Sequence, residues 1–223
     1  MLVAARKTFS NDGIVVMPYM ETSDKCVDAW FEVPCGIDTG GDFRIRMVCS
    51  VGSFYNGNRG FISGVSGGSP QPFFRFFQGS LGGSRRWYTD LGPTDVSGRI
   101  SIQVERYADL DDVYAIERTG GRMTLSVNGT DHEDNYSKIP ETTFTVTGLR
   151  LFWDAAYIHR RRIYSVSVWN GGKLAHAFTP VVDGGVPKWL DGVDGSLYGV
   201  NQADKNGLFS VGETIAAKSV FAG

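Results

Sequence analysis

Positive charge is not in excess in this chain: 22 Lys and Arg stand against 24 Asp and Glu, a formal net charge of −2. A nucleic-acid binder needs a clustered surplus of Lys and Arg to displace counterions from phosphates, so that partner is set aside. The local basic runs are Arg85-Arg86 and Arg160-Arg161-Arg162, and the second reads as a solvated strand edge or a partner contact. Long hydrophobic runs are missing too. No stretch approaches the roughly 18 apolar residues of a membrane span, so no membrane partner is expected. Met1 to Lys7 turns charged too early for the apolar core of a signal peptide, and a soluble chain is expected. Cysteine is scarce: Cys26, Cys35 and Cys49 form no C-x-x-C pair, which argues against zinc. Their spacing leaves open one disulfide, Cys26 to Cys35, or buried free thiols. The only histidines, His132, His159 and His176, lie beside no nucleophile-elbow motif, so a Ser-His-Asp device is not expected. His176 alternates with Ala175 and Ala177 and reads as exposed.

Glycine is plentiful, 29 residues against 8 Pro, and it is spread along the 223-residue chain rather than clustered. That distribution suits many short strands joined by tight turns. Alternating apolar and polar residues confirm the period of two at 43–49, 99–105, 123–127 and 163–169. Asn128-Gly129 and Asn170-Gly171-Gly172 follow two of these runs as turn signals, and Lys173 to Phe178 reads as a hairpin partner. Phe144 to Val146 and Leu149 to Trp153 read as one strand or two around Gly148. The best helical candidate, Tyr107 to Ile116, lacks a sustained 3.6 period and is worth a turn or two at most. Ser63 to Pro72 has the composition of a long surface loop. The expected class is all-β: a two-sheet antiparallel sandwich. Residues 1–12 read as an N-terminal arm and 13–223 as one domain.

The stretch Arg161-Arg-Ile-Tyr-Ser-Val-Ser-Val-Trp-Asn-Gly-Gly-Lys-Leu-Ala-His-Ala-Phe-Thr-Pro180 resembles a segment of laminin-G-like domains in the concanavalin A-like lectin/glucanase superfamily. Gly185 to Tyr198 is similar to that family's closing signature, with Trp189-Leu190-Asp191 where Leu-Tyr-Asp usually stands. Leu125 to Thr130 matches a common hairpin of the family, and Tyr19 to Asp24 is like its opening strand, with Asp24 replacing a glycine. The resemblance spans most of residues 19 to 212, and it is most specific in the C-terminal third. It implies a jelly roll of two curved antiparallel sheets whose first and last strands meet. The bacterial and phage members include sugar-binding modules, adhesion domains and virion proteins. The family's catalytic branch carries Glu-x-Asp-x-x-Glu or Glu-x-Asp-x-Glu on a strand, and neither is present.

Glycoside hydrolysis needs two carboxyl groups about 5 to 10 Å apart. Glu105, Asp111-Asp112 and Glu133-Asp134 are available, but the pairs sit in turn-like sequence and read as solvated acids. No catalytic residue is assigned, and an enzyme is not expected. Asp109-Asp111-Asp112 and Asp131-Glu133-Asp134 offer hard oxygens, yet neither matches a defined calcium loop, so no metal ligand is assigned and calcium is the one cofactor left open. Sugars stack apolar C–H faces on flat rings while polar neighbours hold their hydroxyls. Tyr55, Asn56 and Arg59 fit this, as do Arg85, Trp87, Tyr88 and Asp90; Trp153-Asp154 with Tyr157 is a third cluster. A core role for Trp153, and for one of Trp87 and Tyr88, stays open beside it. In Phe73 to Phe77 aromatic rings fall on both strand faces, so at least one must be covered. The expected function is a non-catalytic glycan-binding or adhesion module on a virion or extracellular surface. The alternative is a virion structural protein contacting copies of itself, as a homo-oligomer, or other surface proteins. A laminarinase-like glycosidase is third.

Overall fold

The computed structural model describes residues 14–23, 26, 28–50, 59–66, 73–81, 84–92, 100–105, 112–133, 143–153 and 161–212. The strands begin with β1 (Ile14–Val16), β2 (Met20–Thr22), β3 (Phe31–Asp38), β4 (Phe43–Ser50), β5 (Arg59–Ser66) and β6 (Phe73–Leu81). They continue as β7 (Ser84–Gly92), β8 (Ile100–Glu105), β9 (Asp112–Thr119), β10 (Arg122–Val127), β11 (Thr130–Glu133) and β12 (Thr145–Leu151). The last are β13 (Arg162–Asn170), β14 (Lys173–Asp183), β15 (Val186–Asp191), β16 (Leu197–Tyr198) and β17 (Phe209–Val211). The helix among them is a single 3-10 segment, Ala203–Leu208, so among the described residues none is long and apolar enough to cross a membrane.

Two antiparallel sheets result. The six-stranded sheet runs β3-β12-β5-β6-β7-β8. The larger runs β11-β10-β9-β4-β13-β14-β15-β16, with β1 on β14 and β2 between β13 and β17. Opening and closing segments meet at β2 and β17, where Glu21 faces Ser210. This is the two-sheet jelly roll that the sequence implies.

The period-two pattern explains how the sheets stick. In β4, Phe43, Ile45, Met47 and Cys49 are buried while Arg44 is exposed. In β3, Phe31, Val33, Cys35 and Ile37 are buried while Glu32 is exposed. Both inner faces join one cluster that includes the fully buried Trp189, whose ring meets Phe31 edge-on at 6.4 Å. Each fully buried large apolar side chain contributes about 1.5–3 kcal/mol. The turns follow the sequence signals: Asn128 and Gly129 both have positive φ, 49° and 82°, as a two-residue type I′ hairpin requires.

Several expectations change. Asp112 to Ile116, inside the helical candidate, is the start of β9, because Tyr114 and Ile116 insert into the core between β4 and β10. Ser63 to Ser66, inside the expected loop, ends β5 in the middle of its sheet. Its Gly64 is small for a packing reason: a Cβ there would lie 2.7 Å from that of Phe74. Phe144 to Trp153 yields one strand, β12, with a register shift between Val146 and Gly148. Arg161 is not a solvated charge. It is 1% exposed, its guanidinium donates to the Gly60 carbonyl, and its N–H donates to Thr22 Oγ1. Arg162 lies half-buried over the Tyr19 ring at 4.6 Å and pairs with Glu21 at 2.9 Å. Residues 1–12, Arg160 and His159 lie outside the described residues.

All three cysteines are buried free thiols. Burial pushes the Cys35 thiol up to about 12 from 9.0, against a smaller opposing pull from an Ile37 backbone hydrogen bond. The native thiol is therefore expected to resist an alkylating or disulfide reagent at mildly alkaline pH and to react once urea unfolds the chain. The raised folded-state value also fixes a sign. Its stabilisation is complete below pH 9.0 and is lost as pH rises from there toward 12.

Candidate functional site

The outer face of the six-stranded sheet carries the richest juxtaposition of rings and charges. In β6 the sheet's alternation sends Phe74 and Phe76 into the core and leaves Arg75 and Phe77 half-buried on the other face. Register with β7 places Asp90 opposite Arg75 and Tyr88 opposite Phe77. Arg75 Nη2 donates to Asp90 Oδ2 at 2.6 Å, and its guanidinium lies 5.2 Å from the Phe77 ring centre. Phe77 and Tyr88 stack at 5.0 Å with planes 9° apart. Asp90 is only 4% exposed and the Arg75 side chain 27%, so the carboxylate is a fixed anchor that aims a partly open guanidinium.

The same row crosses the sheet. Ser63 in β5 stands opposite Arg75 on one side and Arg150 of β12 on the other, and Arg150 stands opposite Glu32 of β3. Arg150 Nε donates to Glu32 Oε2 at 3.2 Å, and its guanidinium lies 5.0 Å from the Trp30 ring. Thus two arginines, two strand spacings or about 9.5 Å apart, share one arrangement, although Glu32 is an exposed partner where Asp90 is a buried one. Each is pinned by a carboxylate and laid against an aromatic ring. Arginine donors held this way, beside apolar ring faces, can bind hydroxyl groups without first losing side-chain freedom.

Trp153 closes one end of this face. The chain leaves β12 through Phe152, which is fully buried at φ 64°, a left-handed value uncommon for a bulky residue. Its N–H donates to the Phe61 carbonyl, and Trp153 then lies over Gly60, the cross-strand partner of Phe77. A Cβ on Gly60 would sit 2.0 Å from the Trp153 carbonyl oxygen, so only glycine admits this crossing. Trp153 is half-buried and outside the core cluster.

The residues expected from the sequence to bind sugar fall unevenly. Tyr55 and Asn56 lie outside the described residues. Arg59 opens β5 opposite Gln78, and Trp87 stands opposite Gln78 on the other side, so segments far apart in sequence share one register level. Arg85 lies further along β7, opposite Ser80. Tyr88, 8% exposed, and Asp90 are buried in the pairs described above. Glu32, Arg75, Phe77, Arg150 and Trp30 lie outside the sugar-binding pattern of the sequence, although the Phe73 to Phe77 run already marks a strand with rings on both faces. The available signal was a lone charge between buried apolar neighbours, as in Leu149-Arg150-Leu151 and Phe31-Glu32-Val33. That signal says a side chain points outward, but not which strand lies beside it.

The other polar clusters have different roles. His176 is not exposed as expected: its side chain is 20% exposed and Nδ1 lies 2.6 Å from Asp191 Oδ2. Asp191 Oδ1 accepts the N–H groups of Ala177 and Val193 at 3.0 and 2.9 Å. This carboxylate pins the turn after β15 against β14. Among the described residues no group of three or more His, Cys, Asp or Glu converges on a metal position. Asp109, Asp111 and Asp134 lie outside that set.

No known protein family matches the chain, and no curated protein matches it. Among solved structures it is similar to a cellulose-induced protein, Cip1, at 11% identity over 71% of this chain and 87% of that one, with a TM-score of 0.49. A heptameric SAP-like pentraxin from Limulus polyphemus is 10% identical over 73% and 77%, with a TM-score of 0.48. Domains LG4-5 of the mouse laminin alpha1 chain are 11% identical over 72% of this chain and 44% of theirs, with a TM-score of 0.46. At such identity nothing about ligand passes from those proteins to this chain.

Proposed function

We propose that this protein is a non-catalytic carbohydrate-binding module that lays a saccharide across the outer face of its six-stranded sheet. The observation that carries the reading is the repeated unit of arginine, carboxylate and aromatic ring, Glu32-Arg150-Trp30 and Asp90-Arg75-Phe77, set in one row with Ser63 between them. Rings take the apolar sugar faces, and the guanidinium groups and the serine hydroxyl take sugar oxygens. Tyr88 backs Phe77, and Asp90 orients Arg75. Arg59, Arg85 and Trp87 alternate with the residues of this row and bound it along β5 and β7 rather than joining it.

A glycan array tests the proposal. The wild-type protein is expected to retain a defined group of oligosaccharides. Phe77→Ala and Trp30→Ala, each with an unchanged circular dichroism spectrum, are expected to bind about tenfold more weakly, the effect of losing roughly 1.4 kcal/mol of ring stacking. Silence across the array, or full binding by both variants, would overturn the reading. So would β-glucan turnover by a preparation free of contaminating enzyme.

A further inference from the structure

A second ligand position lies on the other sheet, at the end of the β13–β14 hairpin. A cavity of about 390 Å³ opens there, within the roughly 300–1,000 Å³ that small-molecule sites occupy. Its walls include Asp42, Arg44, Glu117, Thr119, Trp169 and Gly172. Gly171 and Gly172 both take positive φ, 54° and 77°, so the hairpin tip turns without placing a side chain across the mouth. Asp42 ties the tip down: its carbonyl accepts the Gly171 N–H, and its Oδ1 accepts the Gly120 N–H at 3.0 Å. The half-buried Trp169 presents an indole wall, with the Arg44 guanidinium 5.6 Å from its ring. Glu117 is aimed from two sides, by Thr119 Oγ1 at 2.9 Å and by Arg44 Nε at 3.5 Å.

The charges select the ligand. Beside the indole stands the Glu117–Arg44 pair, which carries no net sign, while the buried Arg118 guanidinium donates to the Thr39 carbonyl and Asp42 Oδ1 holds the Gly120 N–H. A phosphate or uronate would meet the Asp42 and Glu117 carboxylates, and an amine would meet the Arg44 guanidinium that already holds Glu117. A hydroxyl group can donate to a carboxylate and accept from a guanidinium, and a ring of such groups with an apolar face also matches the indole. We infer that this cavity is a second saccharide site that takes a single neutral pyranose, on the opposite side of the sandwich from the proposed binding face. A module with two such faces can bridge two glycan chains, and its avidity exceeds the affinity of either site.

The test uses the full chain carrying Phe77→Ala, which weakens the proposed face about tenfold and leaves the cavity intact. The Trp169 indole N–H signal, assigned with Trp169→Phe, is followed by NMR during titration with glucose, galactose, mannose and N-acetylglucosamine. Glucuronate and glucosamine are the charged controls. At least one neutral sugar should shift that signal saturably, while both charged sugars leave it still at the same concentrations. Glu117→Gln, which keeps the shape and removes the charge, should weaken binding about tenfold. The inference fails if no sugar moves the Trp169 signal, if the charged sugars bind as well as the neutral ones, or if Glu117→Gln binds unchanged. Failure here with intact array binding by the wild type leaves the first face standing.

Discussion

Asp191→Ala is expected to destabilise the fold by about 3 kcal/mol or more, because one buried acceptor serves several donors. The carboxylate is fully buried, and three groups depend on it: His176 Nδ1 and the N–H groups of Ala177 and Val193. Alanine leaves those donors facing a void that offers no acceptor, and each unsatisfied buried group costs roughly 1–3 kcal/mol. The turn from 191 to 195 loses its anchor as well, since the Gly195 N–H bonds to the Asp191 carbonyl only while that turn keeps its shape. Urea unfolding followed by tryptophan fluorescence measures the effect as a lowered midpoint at constant slope. A loss under 1 kcal/mol would mean that Asp191 is not the anchor described.

Gly60→Ala is expected to be nearly as costly, about 3 kcal/mol, by overpacking rather than by loss. Its new methyl would stand 2.0 Å from the Trp153 carbonyl oxygen and 3.1 Å from the carbonyl carbon, both backbone atoms that no rotamer change can move. The segment after β12 must lift, and it carries the ring that bounds the proposed binding face. Sugar affinity should therefore fall together with thermal stability. Gly199→Ala is the control, because nothing lies within 4 Å of a Cβ there and its change should stay within about 0.5 kcal/mol. If both variants melt alike, the close crossing at Gly60 is not a constraint.

Much of the fold was legible because a half-buried strand writes its two faces into a period of two. Ile45, Met47, Leu125, Val127, Val166 and Val168 were on the inner face by spacing alone, and they are buried. Tight hairpins were legible for a similar local reason, since Asn128-Gly129 and Gly171-Gly172 admit the positive φ that their turns use. What could not be read depends on partners far along the chain. Arg161 looked like one of three solvated charges, yet its N–H and guanidinium find acceptors 139 and 101 residues away. Asp112 to Ile116 carries acidic and aromatic residues with no clear period, and β4 on one side and β10 on the other make it a strand. The candidate face shows the same division. Tyr88 and Asp90 were named from their residue types, while Arg75 and Phe77 became relevant only once register set them opposite. Glu32 and Arg150 lie 118 residues apart, and no local pattern joins them.

The central claim is that a saccharide lies on the outer face of the six-stranded sheet. Hydrogen exchange followed by mass spectrometry, with and without the strongest oligosaccharide from the array, tests it most directly. Slower exchange in peptides covering β5, β6, β7 and β12 is the predicted result, and Phe77→Ala should need about tenfold more ligand to reach it. Protection confined to β9 and the β13–β14 hairpin, or none in either sheet under saturating ligand, would contradict it.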